Sequence, residues 1–154
     1  MNKQNQIILL GQAQQLFDAN LNPITQSGTF KYLILKDPAS GVLQIMLFLV
    51  NRPFEFHAEG LQSYMNQNNL REITLNGGGK VVISASDKLK IMTFHDKSYA
   101  FGQPCPAEVV SLAKELWPEF EIDSSRINSY AKEEMSIAGE TFTYGQVKYE
   151  ADHP

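Results

Sequence analysis

From Val42 to Val50 the chain is almost unbroken in its hydrophobicity, interrupted only by Gln44 and stopped by Asn51-Arg52-Pro53. The stretch is far short of the ~20 residues a membrane helix requires. A short apolar run bounded by turn residues reads as a strand covered on both faces, and such a strand needs helices on both sides of its sheet. The segment before it, Thr29 to Lys36, is rich in β-branched and aromatic residues. It lies between Ser27-Gly28 and Asp37-Pro38-Ala39-Ser40-Gly41, and so reads as a partner strand between turns.

The remaining pattern supplies the layers. Ala58, Leu61, Tyr64 and Met65 recur at spacings of three and four, which predicts a helix from His57 to about Gln67 despite Gly60. Leu70 to Leu75, Lys80 to Ser86 and Lys88 to Phe94 read as three short strands, separated by Asn76-Gly77-Gly78-Gly79 and by a turn at Ser86-Asp87. Pro106 opens a helix whose apolar face is Val109, Leu112, Ala113 and Leu116, and Pro118 closes it. Phe120-Glu121-Ile122 is a terminal strand; beyond Asp123 a helical turn around Ser129 to Met135 and a strand within Thr141 to Tyr149 are expected. The fold class is α/β: residues 1–154 form a single three-layer domain, a mixed β-sheet flanked by helices.

Composition narrows the function classes. The 154 residues suit one core, and the net charge of -4 gives no electrostatic basis for non-specific nucleic-acid binding. One cysteine, Cys105, forms no internal disulfide, and no His/Cys group has zinc-ligand spacing, so neither a metal nor another cofactor is expected. The brief apolar patch Ile7 to Leu10 carries no cleavage site, and the expected location is cytoplasmic, without a membrane partner. The oligomeric state stays open.

Few side chains stand out chemically. His95 ends a strand beside Asp96-Lys97, and His153 is next to last; both are set aside. His57 instead opens a helix after Phe54-Glu55-Phe56, where its ring is either structural or a general base that takes a proton from water near neutral pH. Gly77-Gly78-Gly79-Lys80 lacks the spacing of a phosphate-binding P-loop and reads first as a glycine turn with a strand-edge lysine. Lys31, in an apolar strand, either spreads along the surface or points into a polar site, and Arg52 is a rim charge or an anion clamp. Ser98-Tyr99-Ala100-Phe101-Gly102 is a strand-to-helix loop whose amides suit an anion, though no nucleophile elbow surrounds Ser98.

Taken in order, Gly28-Thr29-Phe30-Lys31-Tyr32, Phe56-His57-Ala58-Glu59, Gly77-Gly78-Gly79-Lys80, Ser98-Tyr99-Ala100-Phe101-Gly102 and the helix before Trp117-Pro118 resemble the Janus/ocnus phosphohistidine phosphatases. The resemblance spans about residues 28–123 and leaves 124–154 as a C-terminal extension without counterpart. It implies a metal-independent hydrolase that cleaves the P–N bond of phosphohistidine on a protein substrate, and leaves open whether phospholysine is cleaved too. His57 takes the catalytic position, as base or as nucleophile. Lys31, Lys80, Ser98, Tyr99, Ala100 and Gly102 take the phosphate-holding positions. The animal members carry arginine after the three glycines; Lys80 keeps the charge without the bidentate fork. A module that binds phosphohistidine without cleaving it is the alternative.

Overall fold

In a computed structural model of the chain, residues 5–24, 27–37, 40–49, 57–95, 104–127, 135–137, 140–142 and 146–150 are described. Strands β1 (Ile7–Leu9), β2 (Ser27–Lys36), β3 (Leu43–Leu49), β4 (Glu72–Ala85), β5 (Lys90–His95), β6 (Glu121–Arg126) and β9 (Gln146–Glu150) make one mixed sheet. The order is β1-β3-β2-β4-β5-β6, with β9 beside the first part of β4. Strands β7 (Met135–Ile137) and β8 (Glu140–Phe142) pair with each other alone. Helix α1 (His57–Gln67) follows β3, and α2 (Pro106–Leu116) joins β5 to the parallel β6, the crossover that a parallel pair demands. A short 3₁₀ helix, Gly11–Leu16, follows β1.

The expected three layers are present. Tyr32, Ile34, Ile45, Leu47, Val81, Ile83, Met92 and Phe94 pack with Val109, Leu112, Ala113, Leu116 and Trp117 on the α2 side. Leu33, Leu35, Met46, Phe48, Ile73 and Leu75 pack with Leu61 and Met65 on the α1 side. Ile45 to Phe48 are all essentially inaccessible and alternate between the two clusters, which is why their run lacks polar residues. Each such side chain taken from water contributes about 1.5–3 kcal/mol. Trp117 closes α2: its amide donates to the Ala113 carbonyl, and its Nε1–H donates to the Leu21 carbonyl at 2.9 Å. Gly60 in α1 is explained by contact, since a Cβ there would stand 2.9 Å from the Phe48 ring.

Three expectations need correction. Leu70–Leu75 and Lys80–Ser86 are not separate strands joined by a glycine turn: β4 runs unbroken through all three glycines for 14 residues. Gly78 must approach β2 closely, because a Cβ would meet the Tyr32 carbonyl and lie 2.6 Å from Leu33 Cδ2. Met135, expected in a helical turn, opens β7, while 129–134 lie outside the described residues; the single strand expected in 141–149 divides between β8 and β9. The N-terminal apolar patch joins the sheet, where β1 adds a parallel edge strand to β3. Among the described residues no helix is long and apolar enough to cross a membrane.

Candidate functional site

The site is made by a bulge. Leu33 pairs with Gly78 but Leu35 pairs with Leu75, so β4 fits one extra residue between them, and Gly77 takes the positive φ of 88° that this requires. The extra residue reverses which face the odd-numbered positions of β4 look toward. Ile73 and Leu75 lie in the α1-side cluster, whereas Val81, Ile83 and Ala85 lie in the α2-side cluster. Lys80 is thereby turned onto the α1 side, and it is no strand-edge charge, for β4 is paired there with both β2 and β5.

Register then lines the cations up. Phe48, Lys31, Lys80 and His95 are successive cross-strand partners on β3, β2, β4 and β5, and directly paired positions share a face. Lys31 is only 8% exposed, so its stem is not spread along the surface. His57 comes to this row from above. Its ring meets Phe48 edge to face, centroids 5.9 Å apart, and its Nε2 lies 2.8 Å from the Gly79 carbonyl oxygen. His57 as a whole is buried, at 8% exposure.

That contact settles the tautomer. A carbonyl oxygen only accepts, so Nε2 carries the proton and donates it, and Nδ1 keeps the lone pair of the neutral ring. Burial first, and then the positive charges of Lys31 and Lys80, hold the imidazole pKa down at about 4, while main-chain hydrogen bonding at Gly79 and Tyr32 works the other way. At neutral pH the ring is therefore an uncharged acceptor beside two ammonium groups. A dianion seated between the lysines would cancel part of their field and raise the ring's basicity.

Of the residues expected from sequence, the structure brings together His57, Lys31 and Lys80. Ser98, Tyr99, Ala100 and Gly102 lie outside the described residues, as does Arg52. His95, set aside in the sequence because it ends a strand, is the next member of the lysine row, and Arg126 of β6 stands opposite it. The signal for both is a register, which no local pattern in the sequence carries. No three His, Cys, Asp or Glu side chains are gathered to hold a metal ion among the described residues. No family model matches this chain, and no curated protein matches it.

Proposed function

We propose that the protein is a metal-independent phosphohistidine phosphatase in which His57 is the general base. One observation carries this reading: the Nε2–H···O=C bond to Gly79, which leaves the lone pair of the neutral ring on Nδ1, in a ring that feels the charges of Lys31 and Lys80. In the reaction, Nδ1 takes a proton from water as the water oxygen bonds to phosphorus and the P–N bond breaks. The departing imidazole leaves neutral once its distal nitrogen is protonated, so the enzyme supplies mainly placement, a base and charge stabilisation. Lys31 and Lys80 hold the phosphoryl oxygens, and the resemblance adds the amides of Ser98 to Ala100. A cytoplasmic, protein-borne substrate accords with this reading.

The test is phosphate release from a phosphohistidine peptide in the presence of a chelator. Release that His57→Gln abolishes supports the proposal; release that survives the substitution overturns it. Acid-labile phosphate trapped on the enzyme would move His57 from base to nucleophile.

The second reading, a phosphohistidine-binding module, is favoured by the low basicity of the free ring, since general bases work best with a pKa near the working pH. Tight binding of the phosphopeptide with no phosphate released decides for it.

A further inference from the structure

The lysine row does not stop at the lysines. Strand β6 also contains a bulge: Thr93 pairs with Asp123 but His95 pairs with Arg126, so one residue of β6 is extra between them. In regular register Ser125 would face His95. The bulge is held locally, with the Asp123 carboxylate accepting from both the amide and the hydroxyl of Ser125 at 2.9 and 2.6 Å, and the Ile127 amide donating to the Ser124 carbonyl. Its effect parallels that of Gly77. Ile122 before it and Ile127 after it both pack toward the α2-side core, which leaves Arg126 for the other face.

Two independent bulges thus bring a cation into one transverse row, Lys31, Lys80, His95 and Arg126. The row carries donors on four neighbouring strands, a span that suits an anion more extended than one phosphoryl group. Adjacent strands are about 4.8 Å apart, which puts Arg126 roughly 10 Å from Lys80. An extended peptide covers that distance in about three residues. His95 is half-buried and offers a ring N–H in either protonation state, and Arg126 is exposed with a planar fork suited to a carboxylate. Asp123, the nearest acid on β6, feels the Arg126 charge, but its carboxylate is already engaged by Ser125.

The geometry points to a second anion subsite at His95 and Arg126 that receives a carboxylate two or three residues from the phosphohistidine. The substrate class is then an acidic phosphohistidine segment of a protein. This rests on the proposed phosphohistidine site, and its test is arranged to fail separately. Two peptides carrying a hydrolysis-resistant phosphonate mimic of phosphohistidine, one with Asp at the second and third positions on either side and one with Ala there, are titrated against the full chain and against Arg126→Gln. Their hydrolysable counterparts are assayed in parallel for phosphate release.

We expect roughly tenfold tighter binding of the acidic mimic, with the preference falling to near onefold in Arg126→Gln and only partly kept in Arg126→Lys, which retains the charge without the fork. Equal binding of the two mimics by the unaltered chain, or a preference that Arg126→Gln leaves intact, overturns the subsite whether or not phosphate is released. The acidic preference without phosphate release supports the subsite and removes only the hydrolytic reading.

Discussion

The two halves of β4 make an instructive pair. Glu72 to Leu75 and Lys80 to Ala85 have the same alternation, with Ile73, Leu75, Val81, Ile83 and Ala85 all buried at odd positions. Yet the first half buries its odd residues beneath α1, and the second buries them beneath α2. Only the unpaired residue at Gly77 separates the two, so a single bulge decides whether Lys80 faces the helix-buried core or joins Lys31 under His57. Local pattern determines that a strand forms here; register determines what the strand is for.

The strongest way to break this difference is to deny β4 its approach to β2. In Gly78→Val the new Cβ would meet the Tyr32 carbonyl, which is backbone and cannot swing aside. We expect at least about 3 kcal/mol of destabilisation, read by urea denaturation, or failure to fold as seen by loss of near-ultraviolet dichroism. A Gly78→Val protein of ordinary stability would mean that the two strands are not held this closely.

His57→Gln tests the second half alone. The glutamine amide can still donate to the Gly79 carbonyl, so the fold should survive while the Nδ1 lone pair is gone. Phosphate release should fall by ~10²- to 10⁴-fold with little change in melting temperature. His57→Ala is the sharper structural control, since it removes the donor as well and leaves space beside Phe48.

The depressed basicity of His57 also has a thermodynamic consequence. The unfolded chain takes up a proton at about 6.5, the folded chain only at about 4, so between these values the unfolded state binds more protons. The contribution from neutral His57 is whole above pH 6.5 and is lost as pH falls toward 4, by about 3 kcal/mol in all. The difference in unfolding free energy between the unaltered protein and His57→Gln, measured from pH 7 down to pH 4.5, should narrow or reverse by that order. A difference independent of pH would show that the ring titrates normally and stands in water.

Much of the fold could be read from residues in sequence. The doubly buried β3, the α2 face of Val109, Leu112, Ala113 and Leu116, and the extent of α1 follow from periodicity and from where prolines and glycines fall. The site was legible where composition is odd, at His57 in a helix start, at Lys31 in an apolar strand and at Lys80 after three glycines. His95 and Arg126 were not, because they become neighbours through an extra residue in another strand. The glycines misled for a related reason: three in succession suggest a turn, whereas here Gly77 accommodates a bulge and Gly78 a close backbone approach inside a continuous strand.

The smallest expected effect separates the site from the core behind it. Tyr32 pairs with Gly79 but points to the α2 side, where its ring meets Phe94 edge to face at 5.1 Å, and its hydroxyl oxygen is buried with no hydrogen-bond partner among the described residues. Burial raises its pKa far above the ordinary phenol range, so the group stays neutral and its unmet hydrogen-bonding capacity is a cost to the folded state. Tyr32→Phe keeps the ring and the aromatic contact and removes that cost. We expect about 1 kcal/mol of added stability by chemical denaturation and unchanged phosphate release. Lost stability would reveal a partner for the hydroxyl, and lost release with stability retained would place the α2 side of this half in the site as well, erasing the division that the bulge at Gly77 draws.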